Sequence, residues 1–454
     1  MVFSSIEFLF YFLPLTLFLY FVVPNKYKNF VLMVLSLLFY SFGEPIYILV
    51  MMISIIVDYV NGIFIGRLKK KKIKRMFLLS SLIINLGLLA IFKYSPFLVE
   101  VGNDLLNVNL NIPVLNLPIG ISFYTFQTLS YTIDVYRGKV KTQKNFISFA
   151  LYVSLFPQLI AGPIVRYKDI CHELNHRNNS IDNLIKGFER FIYGLSKKVI
   201  LANNIGLIAS QIKGNDVTTL GTISYLFAFG FQIYFDFSGY SDMAIGLGKM
   251  FGFNFPENFN YPYISKSITD FWRRWHMTLG TWFRDYLYIP LGGSRVTILR
   301  LLFNLFLIWF LTGLWHGAAY NFIFWGLYFF VILVIEKFFL SKYLKGIIAH
   351  IYVIVVVLFG WMLFSIESLS ELSVLIQSLF TLKYAFSDVD TMFVLRDGMV
   401  VMLLCVLFSM PIYRRVKDMR VYILIEPVFL IIVFAISVGY IVDSSFNPFL
   451  YFRF

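Results

Sequence analysis

The chain has 454 residues, of which 59% are hydrophobic and only 14% are charged, and its mean hydropathy is +0.75. This composition excludes an ordinary soluble domain and indicates a polytopic membrane protein. The net charge of +14 does not indicate nucleic-acid binding, because the basic residues lie in short clusters between apolar runs, as in cytoplasmic loops beside anionic lipid headgroups.

The apolar runs predict the order of membrane crossings, since a bilayer requires about 20 residues of helix. The opening run has no basic leader and no small-residue cleavage site, so we interpret it as a retained first span. We expect an all-α polytopic membrane protein of ten to twelve transmembrane helices plus re-entrant helices, in one domain over residues 1–454. Besides a helix in 118–138, the predicted crossings are 6–23, 30–42, 45–65, 76–92, 188–212, 217–235, 298–313, 321–338, 351–364, 399–410 and 421–442.

Charge sets the expected orientation of these crossings. Residues 67–75, RLKKKKIKR, form one strongly basic loop. The positive-inside rule places this loop in the cytoplasm. Alternation of the crossings then places both termini on the outer side of the plasma membrane.

Polar residues inside the predicted helices allow two interpretations. Lys197 and Lys198 lie in the middle of a crossing, where they either extend to the headgroups or face a cavity. A row of hydroxyls on one helix face within 118–138 either bonds to its own backbone or lines an internal cavity. This row consists of Ser122, Thr125, Thr128 and Thr132.

The segment 146–160 is apolar but short for a full span, and basic residues lie on both sides of it, so we expect it to be re-entrant. Just beyond it, His172 and His176 have a spacing that could bind a metal on a helix, but no second ligand cluster accompanies them. We therefore expect loop residues and no metal site. Cys171 and Cys405 are far apart in the sequence, which argues against a disulfide framework.

The apolar pattern is lost for about sixty residues from position 235. The run FDFSGYSDMAIGLGKM, at 235–250, contains Asp236, Ser238 and Asp242, and a Pro/Asn-rich connector follows it. We expect this region to be a cytoplasmic loop with short amphipathic helices.

Two histidines stand out in the most aromatic part of the chain. His276 lies in DFWRRWHMTLGTWFRDYLYIPLGGSR, at 270–295, and His316 lies in LTGLWHGAAYNF, at 311–322. Ionisable residues at membrane depth are energetically unfavourable and are therefore functional-site candidates. We expect 271–283 to dip into the membrane from the cytoplasmic face with His276, and His316 to lie nearer the outside in the bend between two crossings.

The motifs resemble those of the membrane-bound O-acyltransferase (MBOAT) family, and within it the alginate O-acetyltransferase branch. The resemblance implies a ring of helices around a thin core pierced by a tunnel, and transfer of an acyl group from a cytoplasmic thioester to an acceptor in or beyond the bilayer. By matching motif, His316 corresponds to the family's catalytic histidine and His276 to the second histidine of the active region. The matching segments are MVFSSIEFLFYFLPL, PIGISFYTFQTLSYTIDVYRG, LFPQLIAGPI, FDFSGYSDMAIGLGKMFGFNFPENFNYPY, the two histidine motifs and FLYFRF.

This assignment fits the chemistry of the residues. A neutral imidazole with a pKa near 6.5 accepts the proton of an attacking hydroxyl at physiological pH, which accelerates a reaction roughly 10²–10⁴-fold. Arg273 and Arg274 either hold the phosphates of a coenzyme A donor and stabilise charge on the thioester carbonyl, or bind lipid headgroups. The other donor-binding or supporting candidates are Trp272, Trp275, Asp270, Asp236, Ser238 and Asp242. We expect acetyl-CoA as the acyl donor and no bound cofactor.

The C-terminal FLYFRF has the F-x-Y-x-x-F form found in the small partner protein of the related teichoic-acid D-alanylation system. The resemblance implies an acyl group held temporarily on Tyr451. A phenol with a pKa of about 10 is a better leaving group than an alkyl hydroxyl, so an acyl-tyrosine still passes its acyl group on. The alternative is an aromatic anchor at the outer interface.

The function we predict is a membrane O-acetyltransferase that passes acetyl groups across the plasma membrane for esterification of a cell-surface or secreted polysaccharide. The expected partners are an extracytoplasmic SGNH esterase-like acetyltransferase, the polysaccharide synthesis machinery and membrane lipids. The enzymatic alternative is D-alanyl transfer from a carrier protein to teichoic acid. A proton-coupled transporter is the alternative outside enzymes, but the sequence shows no internal two-fold symmetry.

Overall fold

The computed structural model describes residues 1–110, 113, 115–160, 162–416 and 418–443. Within these ranges the chain is helical and contains no β-strand, which confirms the predicted fold class. The predicted acyl relay, Tyr451, lies outside the described residues. The α-helices are α1 Leu13–Val22, α2 Lys28–Ser41, α3 Ile48–Arg67, α4 Lys71–Leu89, α5 Ser95–Leu106, α6 Ile121–Tyr136, α7 Phe146–Ser154, α8 Phe156–Leu159, α9 Tyr167–Ile170, α10 Ile181–Ser196, α11 Asn203–Gly214, α12 Thr219–Met250, α13 Ile268–Arg274, α14 Met277–Phe283, α15 Ile298–His316, α16 Tyr320–Ile335, α17 Gly346–Ser365, α18 Leu369–Phe380, α19 Val389–Phe408, α20 Ile412–Val416 and α21 Arg420–Asp443.

Seven helical segments among the described residues are long and apolar enough to cross a bilayer. Shorter apolar helices occupy Phe8–Val22 and Leu369–Phe380. Several of the other predicted crossings correspond to helices that are shorter or more polar, such as α2, α11 and α12. The seven spans are Ile48–Arg67, Lys71–Leu106, Ile298–His316, Tyr320–Leu340, Gly346–Ser365, Val389–Phe408 and Arg420–Asp443.

The predicted cytoplasmic loop at 235–250 is wrong, because α12 continues without a break from Thr219 to Met250. Its two carboxylates are neutralised inside the protein: Lys198 Nζ lies 2.7 Å from Asp236, and Lys197 Nζ lies 2.6 Å from Asp242. The apolar pattern is lost here because polar side chains are buried against partners, and the helix itself does not end.

The fold divides into two compact units, and the first consists of Met1–Phe191, Met243–Pro256 and Arg284–Tyr286. In it, α3, α4 and α6 pack against one another, and α2 packs against α7. The segment predicted to be re-entrant forms two short buried helices, α7 and α8.

The row of hydroxyls on α6 belongs to this first unit and is entirely buried. Thr128 Oγ1 donates to the carbonyl of Thr125 at 3.1 Å, and Thr132 Oγ1 donates to the carbonyl of Leu129 at 3.2 Å. Thr132 also contacts Ser81 on α4 at 3.1 Å. These bonds favour the first of the two interpretations, in which the hydroxyls bond to their own backbone.

The second unit consists of Ile192–Asp242, Glu257–Phe283 and Leu287–Phe454, and it contains both predicted site histidines. In it, α15 packs against α16. A Cβ placed on Gly313 would lie 2.3 Å from the carbonyl oxygen of Phe322, and one on Gly326 would lie 2.4 Å from that of Trp309. Only glycine permits this approach, which fixes the position of the end of α15, where His316 lies.

Candidate active site

His276 lies at a break between α13 and α14 and has a backbone φ of +44°. This left-handed conformation is uncommon outside glycine, although histidine adopts it more readily than most residues, and such strain persists only where the surrounding structure enforces it. The start of α13 is held firmly, because the Glu336 carboxylate accepts bonds from the backbone N–H groups of Ile268 at 2.5 Å and Thr269 at 3.0 Å. The backbone of His276 is therefore held in this conformation between α13, which is anchored at its start, and α14.

Asn258 holds His276 in place and determines which ring nitrogen carries the proton. Its Oδ1 lies 3.1 Å from His276 Nδ1 and accepts from Thr278 Oγ1 at 2.9 Å and Thr278 N at 3.3 Å. A backbone N–H can only donate, so the Asn258 oxygen faces this side. Since an amide oxygen can only accept, His276 Nδ1 donates to it, and the basic lone pair belongs to Nε2.

Two further hydrogen bonds hold Asn258 itself in place. Its Nδ2 donates to Ser241 Oγ on α12 at 3.1 Å, and its backbone carbonyl accepts from Met277 N at 3.0 Å. His276 lies outside the candidate membrane spans, and burial lowers its pKa to about 3. The imidazole is therefore neutral at physiological pH, the state in which it can accept a proton.

His316 is the last residue of α15, and its ring centroid lies 6.5 Å from that of His276. Both residues are only 3% exposed. The structure thus brings the two predicted histidines into one site. The predicted approach from opposite faces of the membrane stays a prediction.

Aromatic rings surround the two imidazoles. The His316 ring makes edge-to-face contacts with Trp315, Trp325 and Phe364 at 5.1, 5.1 and 5.4 Å, and Phe237 meets His276 at 4.7 Å. Such walls exclude water, and in a dry site each hydrogen bond to developing charge is stronger than in water.

Two tryptophans have buried indole N–H groups with no acceptor among the described residues, and one of them, Trp325, contacts His316. They are Trp325 and Trp272, whose rings lie 5.4 Å apart. A buried donor without an acceptor is unfavourable by about 1–3 kcal/mol, so an N–H in this position is available to a substrate oxygen. Trp272 also contacts Trp309, and Trp275 contacts Trp361 at 4.7 Å.

The predicted polar residues of α12 lie beside this site. Asp236 and Asp242 form the ion pairs with Lys198 and Lys197 described above, so both lysines face protein carboxylates. Ser238 is 2% exposed, and its hydroxyl has no hydrogen-bond partner among the described residues. Because the ring of the intervening Phe237 contacts His276, these residues support one wall of the site.

The two predicted arginines differ in their surroundings. Arg274 Nε lies 3.0 Å from both oxygens of Asp270, and its Nη1 donates to the carbonyl of Asn260 at 3.3 Å. Arg274 therefore links the Pro/Asn-rich connector, through Asn260, to α13. Arg273 is exposed, and its side chain makes no hydrogen bond or ion pair within the described part of the chain. Arg273 is accordingly the more accessible of the two to an anion.

Sequence reasoning missed Asn258 and Trp325. Asn258 lies in a Pro/Asn-rich connector, where asparagine ordinarily indicates a turn. Trp325 lies in an apolar crossing, where a tryptophan ordinarily packs against neighbours. A strongly polar residue just before the His276 motif was the only available signal for Asn258, and none was available for Trp325.

Comparison with known proteins gives a consistent result. Residues 139–373 match the model of the membrane-bound O-acyltransferase family. The chain is 42% identical over 383 residues to the probable alginate O-acetylase AlgI of Pseudomonas aeruginosa, covering 81% of this chain and 73% of that protein. It is 37% identical over 365 residues to the peptidoglycan O-acetyltransferase of Helicobacter pylori, covering 72% and 68%. It is 32% identical over 235 residues to the teichoic acid D-alanyltransferase of Bacillus subtilis, covering 49% and 59%.

Proposed function

The chain belongs to the membrane-bound O-acyltransferase family, and from this membership we propose that it passes acetyl groups from a cytoplasmic thioester, acetyl-CoA, across the membrane for O-acetylation of a cell-surface or secreted polysaccharide. It is an O-acyltransferase and a multi-pass membrane protein. The observation that carries the proposal is the pair of imidazoles 6.5 Å apart in one buried, aromatic site.

In the proposed step, His316 is the general base and His276 supports it. An acceptor hydroxyl attacks the thioester carbonyl carbon while its proton passes to the imidazole of His316. The tetrahedral intermediate then collapses, the C–S bond breaks, and the departing thiolate takes the proton back as the free thiol. General base catalysis of this kind contributes roughly 10²–10⁴-fold. The indole N–H groups of Trp325 and Trp272 are candidates for stabilising the charge on the carbonyl oxygen.

Acetyl transfer is favoured over D-alanyl transfer by the extent of the similarity. The alginate and peptidoglycan enzymes match 81% and 72% of the chain, whereas the teichoic acid enzyme matches 49%. The same similarity supports partnership with polysaccharide synthesis machinery. We further propose an extracytoplasmic SGNH esterase-like partner, both termini outside the plasma membrane, and Tyr451 as an acyl relay.

The test uses the purified full chain in proteoliposomes with radiolabelled acetyl-CoA. We expect the wild type to release free coenzyme A and transfer or hydrolyse the label, and His316→Ala to lose at least about 10²-fold of this rate. His172→Ala, which changes an exposed histidine, is the control and keeps the activity.

Two outcomes would reject this proposal. Unchanged acetyl-CoA turnover by His316→Ala excludes this histidine as the base. Passage of intact label across the bilayer without release of coenzyme A indicates a transporter.

A further inference from the structure

A basic groove of about 810 Å³ opens on the first compact unit, and none of the described residues that line it has been given a role in the proposed reaction. No acidic residue is among the described residues that line it, while three of them are lysine or arginine. A concave surface with one sign of charge concentrates counter-ions. The lining residues on which the argument depends are Lys26, Lys28, Asn29, Arg177 and Asn179.

Arg177 is held in a fixed orientation beside this groove. Its Nε donates to the carbonyl of Glu173 at 2.9 Å, its Nη1 donates to Tyr20 Oη at 3.3 Å, and its guanidinium lies 4.5 Å from the ring of Phe253. These bonds use two of the five N–H donors of the side chain, so the others are available to a ligand. The carboxylate of Glu173 accepts from Asn254 at 3.4 Å and does not line the groove.

Tyr20 is held in a fixed position, and its ring lies beside both Lys28 and Arg177. It is fully buried, and its hydroxyl donates to the carbonyl of Phe251 at 2.8 Å and lies 3.0 Å from Asn179 Oδ1. Lys28 Nζ lies 4.8 Å from the centre of the same ring, and the Arg177 guanidinium carbon lies 5.9 Å from it. Two cations are therefore fixed around one phenol.

The closeness of Lys28 and Arg177 is electrostatically unfavourable unless an anion compensates their two positive charges. Burial and the charge of Arg177 both lower the pKa of Lys28. Asn29 keeps the start of α2 in place by donating to Ser148 Oγ at 3.0 Å and to the carbonyl of Leu174 at 2.9 Å. Since the lysine cannot move away with its helix, a bound anion would relieve the repulsion.

We propose that this groove binds a phosphate-bearing anion, either the headgroup of an anionic lipid or a soluble polyphosphate. Arginine presents paired N–H donors that match the geometry of a phosphate, and Lys28 and Lys26 add point charges. The segment between the first two predicted crossings contains both lysines, and alternation from the basic loop at 67–75 predicts that this segment faces the cytoplasm. The proposal does not depend on the acetyl-transfer function.

The test measures binding to the full-length protein in neutral detergent, with phosphatidylglycerol by native mass spectrometry and inorganic pyrophosphate by titration calorimetry. The site variant is Lys28→Gln with Arg177→Gln, and we expect it to bind one of the two probes at least about tenfold more weakly than the wild type, since charge-assisted hydrogen bonds are lost. Loss of phosphatidylglycerol identifies a lipid headgroup, and loss of pyrophosphate identifies a soluble ligand.

The matched control is Lys70→Gln with Lys71→Gln, which removes the same charge from an exposed basic loop of the same unit. Because Arg177→Gln also removes structural bonds, Lys26→Glu is measured as a second variant: Lys26 is exposed and its reversal weakens the same probe without affecting packing. The proposal is overturned if the wild type binds neither probe, if the site variants bind as the wild type does, or if the control loses as much affinity as they do.

Discussion

At the scale of single residues, the site depends on how one asparagine holds one histidine. A buried imidazole can have its proton on either nitrogen, and the choice decides which nitrogen donates and which accepts a hydrogen bond. Asn258 removes this ambiguity, because its oxygen also accepts from the backbone N–H of Thr278 and must therefore face His276 Nδ1 as an acceptor. Asn258 is thus a positioning residue for the proposed reaction.

Replacing Asn258 tests this role. We expect Asn258→Ala to lower kcat about 10–100-fold with little change in KM, because acetyl-CoA is still bound but the orientation of His276 is lost. Asn258→Asp keeps the acceptor and adds a negative charge, which raises the pKa of His276 and shifts the acidic limb of the pH–rate profile to higher pH. Steady-state kinetics between pH 5 and 9 measure both effects, because wild-type His276, with a pKa of about 3, titrates below this range and the aspartate moves its titration towards it.

The neighbouring Asn260→Ala is the control, since only the backbone groups of Asn260 bond to Arg274. It should retain the wild-type rate and profile. If both Asn258 variants show the wild-type pH profile, the asparagine only supports the fold.

How far the sequence predicts this site differs from residue to residue. Ionisable residues within an apolar chain are energetically unfavourable and can be recognised in the sequence, and this identified His276 and His316. That their rings lie within 6.5 Å depends on how α15 and the connector pack, which no local pattern contains. Asn258 could not be distinguished from a turn residue, because its role depends on contacts with Ser241, which is distant in sequence.

At the scale of helices, α12 shows how buried ion pairs hide a helix from sequence analysis. Its carboxylates interrupt the apolar pattern, yet the helix is stable because Lys198 and Asp236 lie 2.7 Å apart with side chains only 3% and 1% exposed. Long apolar helices depend on composition alone: α21 was predicted nearly to both ends, and α17 nearly to its C-terminal end, although it begins at Gly346 and the predicted crossing at 351. Helices stabilised by tertiary polar pairs were not.

We expect the stability of the protein to fall far more when one partner of the Lys198–Asp236 pair is removed than when both are removed. Lys198→Met leaves a buried carboxylate without its counter-charge, and we expect it to reduce stability by about 3–5 kcal/mol. Lys198→Met combined with Asp236→Leu removes both charges and should recover most of this loss. Thermal unfolding in detergent, followed by size-exclusion chromatography, measures the difference.

Lys186→Met is the control for this experiment, because its ion pair with Asp182 is exposed and contributes little. A double variant no more stable than the single one would show that the pair has a role beyond charge neutralisation.

At the scale of the whole molecule, the chain combines long apolar spans with a polar, aromatic site in one of its compact units. To deliver the acyl group to the outer side, the protein must either carry it on one of its own residues or give the acceptor direct access to the site. The C-terminal motif, predicted to lie outside, makes Tyr451 the candidate for such an acyl-carrying residue.

Replacing Tyr451 with Phe tests the relay while keeping the aromatic ring. If the phenol attacks the thioester, the chain acquires a phenyl ester as the thiol leaves, and this ester is readily cleaved by hydroxylamine because a phenolate with a pKa near 10 is a good leaving group. We therefore expect hydroxylamine-sensitive label from acetyl-CoA on the wild-type chain, none on Tyr451→Phe, and a strong fall in acetylated polysaccharide at equal membrane levels.

Tyr440→Phe, which changes an exposed tyrosine on α21, is the control. Normal polysaccharide acetylation by Tyr451→Phe would reject the relay and leave the aromatic anchor as the role of this residue, because an anchor requires the ring and not its hydroxyl.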